Sequence, residues 1–199
     1  MGKVSMDTIK SLREKSGVGF ADCKVALEES KGDLEKAYEI LRKKGMAKLA
    51  KRSDKESNAG YIGTYIHHNG QLVGVAIVTT ETDFVAMDKG FQDFAKEVAM
   101  QVASQNPEYI NISDVPAERI AKEKEIYMAE VEKTGKPKAI AEKIALGKLA
   151  KFYEEVVLME QPWVKDPTKK KVKDLYNEIL AKLGEKILIR NIYRMTISK

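Results

Sequence analysis

Two strand-like runs joined by an Asn-Gly turn constrain this chain more than any other feature of its sequence. Residues 60–66 and 72–80 are rich in β-branched and aromatic side chains, and the segment between them ends in Asn69-Gly70. Asn-Gly is the strongest short signal for a β-hairpin, because both residues tolerate the positive φ angles of a tight turn. Small residues at alternate positions of the second run, Gly74 and Ala76, predict that a helix packs closely on one of its faces.

Four helices and a third strand are predicted after the hairpin. In each helix, apolar residues at helical spacing follow a residue that is typical of a helix start. The four start residues are Asp88, Pro116, Pro137 and Thr168. Residues 156–164 are predicted to be extended, although Pro162 excludes a central strand. The β-branched run 187–197 is predicted to be the third strand beside the hairpin. The fold class is therefore predicted to be α+β.

Three short apolar stripes with helical spacing precede the hairpin. They span residues 4–15, 20–30 and 34–45, with Asp33 as the predicted N-cap of the third helix and Gly45 as its predicted C-cap. Three short helices with tight turns form a small helical module. Residues 46–58 are interpreted as a helical extension that runs into a linker. We therefore predict a helical domain over residues 1–52, a linker over 53–58 and an α+β core over 59–199.

The composition bounds the class of protein. A single cysteine excludes an intramolecular disulfide, and the first ten residues lack the apolar segment of an export signal, so we expect a cytoplasmic protein. No apolar run reaches the length of a membrane span. The chain has 35 basic and 30 acidic residues and a net charge of +5. This mild excess permits an acidic partner or RNA without demanding either.

No arrangement typical of a chemical active site is found in the sequence. Gly17-Val18-Gly19 lies between helices instead of after a strand, so it does not predict a nucleotide site. The two histidines, His67 and His68, are adjacent, and their side chains would diverge on a strand. Cys23 falls on an apolar helical stripe, which predicts a buried thiol. We therefore expect no catalytic residue, no metal and no cofactor, and we predict a binding protein instead of an enzyme.

The junction at residues 79–88, TTETDFVAMD, is the best candidate for a binding site. It follows the second strand-like run and precedes an amphipathic helix. Such junctions lie at the rim of a domain, where side chains reach outward without disturbing the core. Glu81, Asp83 and Phe84 lie there. For Phe84, core packing and contact with a partner both stay open.

Several segments in register resemble the bacterial elongation factor Ts family. They are LREKSGVGF at 12–20, DCK at 22–24, GD at 32–33, LRKKG at 41–45, ETDFVA at 81–86, GKP at 135–137, AEK at 141–143 and QPWV at 161–164. The resemblance covers nearly the whole chain in the family's order and matches the family's short form. Met87-Asp88 departs from the basic and polar pair that is more common after ETDFVA.

The resemblance implies both a fold and a function. The fold is a ubiquitin-associated-like three-helix module followed by an α+β core with a three-stranded antiparallel sheet and packed helices. The function is guanine nucleotide exchange on elongation factor Tu, in which the factor binds the GDP-bound GTPase, displaces Mg²⁺ and releases GDP so that GTP can bind. The implied contacts are Arg13 and Phe20 in the helical module and Thr82, Asp83, Phe84 and Val85 at the junction. A short form also suggests a homodimer, and neither membrane nor direct nucleic-acid binding is expected.

Two other classes of function stay open on the residues alone. A module that binds RNA or the ribosome is suggested by the basic segment 48–55 and by the lysines at 169–171. These lysines lie at a predicted helix start, where the helix dipole disfavours cations. Screening by solvent is the alternative for these lysines. An adaptor of the ubiquitin-associated type, with a merely structural C-terminal domain, is the other alternative.

Overall fold

The structure, a computed structural model, describes residues 4–16, 18–50, 55–133 and 137–197, without the side chains at 46–50, 132, 138 and 139. Along these residues the elements are α1 (Met6–Ser16), α2 (Phe20–Glu29), α3 (Leu34–Ala50), β1 (Ala59–Ile66), β2 (Leu72–Thr80), α4 (Asp83–Ala86), α5 (Lys89–Gln105), a 3₁₀ turn (Ile112–Asp114), α6 (Ala117–Glu132), α7 (Lys138–Val156), a 3₁₀ turn (Leu158–Glu160), α8 (Val172–Leu183) and β3 (Ile187–Thr196). The strands form one antiparallel sheet in the order β1-β2-β3. The predicted α+β class is therefore confirmed.

The hairpin predicted from the Asn-Gly turn is present. The His67 N–H donates to the Leu72 carbonyl at 2.9 Å, and the Gly70 N–H donates to the His67 carbonyl at 2.7 Å. Gly70 has a φ of +69°, the left-handed value that favours glycine in such a turn. β3 pairs with β2 as predicted, and at its end the Ile197 N–H donates to the Gln71 carbonyl at 3.2 Å.

The face of β2 that carries small residues is buried against a helix, as predicted. Gly74 and Ala76 are buried on this face. A Cβ atom built on Gly74 would lie 2.8 Å from the Ala103 backbone nitrogen of α5, and it would also clash with the Ala99 carbonyl oxygen. The absence of a side chain at Gly74 therefore lets the strand and the helix backbone meet directly.

The chain divides into two compact units. Unit 1 is Met1–Gly63, Ile77–Ala95 and Asp174–Arg190, and unit 2 is Thr64–Ala76, Lys96–Lys173 and Asn191–Lys199. The boundary predicted at residues 53–58 stays a prediction, and residues 53 and 54 lie outside the described residues.

Unit 1 contains the three N-terminal helices and their small core. The buried members of that core are Ile9, Leu12, Cys23, Ala26, Leu27, Ala37 and Leu41. Cys23 is thus a buried thiol, as predicted. Asp33 caps α3, because its Oδ1 atom accepts from the Glu35 and Lys36 N–H groups, each at 3.1 Å. The backbone N–H of Lys36 is the main cause that lowers the pKa of Asp33.

Helix α3 continues five residues beyond Gly45. Gly45 was expected to cap the helix, and that prediction is wrong. The helical extension expected after Gly45 is found as far as Ala50. The residues after Gly45 are Met, Ala, Lys, Leu and Ala. All of these are strong helix formers, and together they outweigh the cost of about 1 kcal/mol of one glycine within a helix. Gly45 instead lies beside α8, where an added Cβ would be 3.4 Å from the Ala181 Cα.

Unit 2 is built around the packing of α6 on α7. The buried members of its core are Val115, Leu149, Phe152, Val156 and Val157. Arg119 joins α6 to the segment before it, since it forms a salt bridge with Glu108 at 2.5 Å and donates to the Tyr109 hydroxyl at 3.0 Å. The Arg119 hydrogen bond is the main cause that lowers the pKa of Glu108.

The segment predicted to be extended at residues 156–164 is mostly not so. Val156 ends α7, and Leu158–Glu160 forms a 3₁₀ turn. The prediction failed because a short apolar run has no periodicity that separates a strand from a buried turn of helix. Only isolated bridges remain, from Val157 to Tyr109 and from Pro162 to Lys171.

The last helix begins three residues later than predicted. Thr168 was expected to cap it, but α8 starts at Val172, and Thr168 lies in the preceding turn. The backbone before Val172 is engaged elsewhere, because the Lys170 carbonyl accepts from the Trp163 N–H at 2.9 Å. At the other end, α8 stops before Gly184 as predicted, and Gly184 has a φ of +68°.

Candidate functional site

A one-turn helix, α4, lies between β2 and α5. Thr82 caps the N-terminus of α4, and Asp88 caps the N-terminus of α5. Thr82 has extended backbone angles (φ −127°, ψ 151°), and its hydroxyl oxygen accepts from the Val85 N–H at 3.4 Å. Asp88 caps α5 as predicted, because its Oδ1 atom accepts from the Phe91 N–H at 3.1 Å. Threonine and aspartate suit this position because their side chains satisfy a free backbone N–H. The two caps limit α4 to residues 83–86.

Residues 82–87, named the tip from here on, expose two large apolar side chains. Phe84 is 86% exposed and Met87 is 77% exposed. Asp83, next to Phe84, is also exposed. Val85 is only 5% exposed, so it anchors the same turn in the domain. Core packing is therefore excluded for Phe84, and an exposed apolar ring of this size is typical of a contact surface.

Two carboxylates join the tip to the residues that follow α8. The Glu185 Oε2 atom accepts from the Thr80 hydroxyl at 3.0 Å and from the Thr82 N–H at 3.1 Å. The Glu185 Oε1 atom accepts from the Thr82 hydroxyl at 2.8 Å. In the opposite direction, the Glu81 Oε1 atom accepts from the Lys186 N–H at 2.8 Å. Glu81 therefore binds within its own chain, and Asp83 is the outward-facing carboxylate of the junction.

Sequence reasoning did not find Glu185. It lies 103 residues after Thr82, and no local pattern connects the two positions. The available signal was weaker, namely a carboxylate directly after the glycine that ends a helix, next to a strand predicted to pair with β2.

The two residues expected to bind a partner from the N-terminal module lie on separate helices of unit 1. Arg13 is exposed in the last turn of α1, one residue after the fully buried Leu12. Phe20 is the first residue of α2 and is 39% exposed. Both side chains are therefore available to solvent while their helices pack into a common core.

The two histidines contact each other and a tyrosine. The rings of His67 and His68 lie 4.2 Å apart, and the His67 Nδ1 atom is 3.0 Å from the Tyr65 hydroxyl. Across residues 4–16, 18–50, 55–133 and 137–197, no three His, Cys, Asp or Glu side chains are grouped to hold a metal ion. In the same ranges, no helix has both the length and the apolar composition needed to cross a membrane.

Carboxylates of the same chain pair with the lysines around the start of α8. The Lys171 Nζ atom lies 2.9 Å from Glu154 Oε1 and 3.3 Å from Glu160 Oε2, and the Lys173 Nζ atom lies 3.1 Å from Glu160 Oε2. The Glu154 hydrogen bond is the main cause that raises the pKa of Lys171. Burial by itself would raise the pKa of Glu160, but the bonds and charges of Lys173 and Lys171 outweigh it and lower that pKa. The charge conflict predicted at 169–171 is thus relieved at Lys171.

We expect Glu160→Gln to lower Tm by about 2–4 °C at neutral pH, since charge-assisted hydrogen bonds of this kind contribute about 1 kcal/mol. The folded pKa of Glu160 lies below its ordinary value of 4.5. Its stabilisation is therefore complete above that value and is lost as the pH falls through the lowered pKa. Thermal melts of variant and wild type should differ near neutral pH and converge once the pH is below the lowered pKa of Glu160. An equal difference at both pH values would contradict this account.

The fold and the site together define a class of protein. It has an N-terminal module of three helices, an antiparallel sheet with packed helices, and an acidic and aromatic tip between the second strand and the next helix.

Comparison with known proteins identifies the family within this class. The sequence model of the family described as "Elongation factor TS" matches residues 35–178. The chain is 47% identical over 199 residues to elongation factor Ts of Anaeromyxobacter dehalogenans, and this alignment covers all of the chain and 90% of that relative. It is 49% identical over 191 residues to elongation factor Ts of Moorella thermoacetica, and this alignment covers 96% of the chain and 94% of that relative. The chain therefore belongs to the elongation factor Ts family, and the resemblance found in its sequence is confirmed.

Proposed function

We propose that this protein is a guanine nucleotide exchange factor that binds the GDP-bound form of elongation factor Tu and accelerates GDP release. The observation that carries the proposal is the tip, which presents Phe84 and Asp83 to solvent on a turn fixed by hydrogen bonds at its base. Membership of the elongation factor Ts family supports the choice of partner. The factor carries out no bond-making step of its own.

Phe84 supplies the apolar part of the contact. Transfer of its exposed ring into a gap between partner helices gains about 1.5–3 kcal/mol of hydrophobic free energy. The ring enters as a wedge, so this gain is available to separate partner helices that pack together in the GDP-bound state. The buried Val85 holds the turn on the domain while Phe84 is inserted.

Asp83 acts on the metal of the partner. Mg²⁺ requires near-ideal octahedral geometry, so a small displacement of its ligands weakens its coordination. A carboxylate that the wedge places next to the metal site would compete with those ligands for Mg²⁺. After Mg²⁺ leaves, the phosphates of GDP lose the charge that neutralised them, and GDP dissociates faster.

The N-terminal module supplies a second contact. Arg13 and Phe20, exposed on α1 and α2, are assigned to the G domain of the partner. The coupling between sites is reciprocal, so nucleotide binding weakens the binding of the factor by the same ratio as the factor weakens nucleotide binding. Incoming GTP therefore releases the factor from the GTPase.

A homodimer is part of the proposal. In unit 2, the apolar side chains of Ile66 in β1 and of Tyr193 and Met195 in β3 are exposed. Exposed apolar side chains on a sheet favour burial against a second copy. Sedimentation equilibrium distinguishes the two states, and a monomer at all accessible concentrations would remove this part of the proposal.

The proposed function is tested by release of fluorescent GDP from elongation factor Tu after addition of excess unlabelled nucleotide. We expect the wild-type factor to accelerate release strongly and Asp83→Asn to lose at least about tenfold of that acceleration, since a charged contact group that is removed typically costs more than 1 kcal/mol. Glu142→Gln is the matched control, because Glu142 is an exposed carboxylate on α7. The assignment fails if the wild-type factor leaves GDP release unchanged.

A further inference from the structure

We propose that Glu185 is the positioning residue of the tip and that it acts on Asp83 and Phe84 through Thr82. This inference rests on the proposed function, because it assigns to Glu185 a role in presenting the two contact side chains to the GTPase. Glu185 itself touches neither nucleotide nor metal. Its carboxylate holds the N-cap from which the turn of α4 begins.

The hydrogen bonds of Glu185 use both of its oxygens. Oε1 accepts from the Thr82 hydroxyl, and Oε2 accepts from the Thr82 N–H and the Thr80 hydroxyl, at 2.8, 3.1 and 3.0 Å. The two carboxylate oxygens together offer about four acceptor positions, enough for these three donors. Thr82 is therefore fixed at its backbone and at its side chain by the same group.

The Thr82 hydroxyl connects Glu185 to the helix. A hydroxyl has one proton to donate and lone pairs that accept. Here the proton is directed at Glu185 Oε1, which leaves the oxygen oriented to accept from the Val85 N–H at 3.4 Å. If the Glu185 acceptor is removed, the hydroxyl can rotate, and the N-cap of α4 loses its fixed orientation.

A second contact runs in the opposite direction and strengthens the junction. The Glu81 Oε1 atom accepts from the Lys186 N–H at 2.8 Å. The residue before Thr82 is therefore bonded to the residue after Glu185. Gly184, with a φ of +68°, turns the chain after α8 and so places Glu185 beside β2. The tip is thus positioned by a segment that is distant in sequence.

The location of these bonds points to function more than to folding. Phe84 is 86% exposed, so no packing from above restrains its part of the turn. A contact loop that is ordered before binding avoids the entropy cost of ordering it in the complex. Hydrogen bonds at the base of the tip supply that order together with the burial of Val85.

The first test needs no GTPase. In Glu185→Gln the amide keeps the size of the side chain but offers one acceptor oxygen in place of two. We expect hydrogen exchange, measured by NMR, to become at least about tenfold faster at the Thr82 and Val85 amides, and to stay unchanged at Leu149 in α7, because only the local hydrogen bonds are lost. Unchanged exchange at Thr82 and Val85 would overturn the positioning role.

The second test is a double-mutant cycle in the GDP-release assay. If Glu185 acts through the tip, Glu185→Gln slows factor-dependent release about tenfold in the wild-type background but by a smaller factor in the Phe84→Ala background, where only the positioning of Asp83 remains to be lost, since coupled residues are not additive. A purely structural role predicts the same factor in both backgrounds, and that result would overturn the proposal. If the wild-type factor does not accelerate release at all, the proposed function fails, and the amide measurement still decides whether Glu185 positions the tip.

Discussion

Phe84→Ala is expected to reduce the acceleration of GDP release by about thirtyfold or more, which corresponds to a central interface residue worth about 2 kcal/mol. The fold should not change, because Phe84 is 86% exposed and makes no contribution to the core. Its Tm should therefore stay within about 1 °C of wild type, as is usual for surface substitutions. Release of fluorescent GDP and a thermal melt on the same sample measure both quantities.

Leu146→Ala is the matched control for this prediction. Leu146 is also a largely exposed apolar side chain, but it lies on α7 in unit 2. Loss of activity in both variants would show that exposed apolar area matters in general and that Phe84 has no special place. Full activity of Phe84→Ala would remove the wedge from the mechanism while leaving the exchange function itself to the wild-type measurement.

Gly74→Ala is expected to destabilise the protein by about 3 kcal/mol or more, the upper range for overpacking a rigid site. The added Cβ would lie 2.8 Å from the Ala103 nitrogen and 2.9 Å from the Ala103 Cβ. These are atoms of a helix backbone and its first side-chain carbon, so no flexible group can move aside. A fall in Tm of about 6–12 °C should be seen in a thermal melt.

Gly147→Ala is the control for the glycine substitution. Gly147 lies within α7, and nothing lies within 4 Å of a Cβ added there. The Gly147→Ala substitution should raise Tm by about 2–4 °C, since alanine is favoured over glycine in a helix by about 1 kcal/mol. If Gly74→Ala left Tm unchanged, the direct approach of β2 and α5 would not be needed for stability.

Much of the fold follows from local sequence signals. Asn69-Gly70 predicted the hairpin, and Asp33 and Asp88 predicted the helix starts that they cap in the structure. The small residues of β2 predicted the close helix. These signals succeed because backbone angles and caps depend on a few neighbouring residues.

The failures have a physical origin in tertiary contacts. Residues 156–164 contain an apolar run whose burial is satisfied by a 3₁₀ turn as well as by a strand. Helix α8 starts late because backbone groups before it bond to an earlier segment. Of the candidate site, the sequence singled out Asp83 and Phe84 but left the exposure of Phe84 open. It did not find Glu185, whose position depends on the return of the chain 103 residues later.

The burial of Cys23 has a practical consequence for chemical labelling. It is the only cysteine in the sequence, and its thiol is fully buried between the helices of the N-terminal module. Thiol reagents react with accessible thiolates, so the native chain should be nearly inert to maleimides. A single-site variant such as Met87→Cys, at a position that is 77% exposed, would then carry a fluorophore at the tip and at no other place. The emission of that dye would report directly on the proposed docking of the tip against elongation factor Tu.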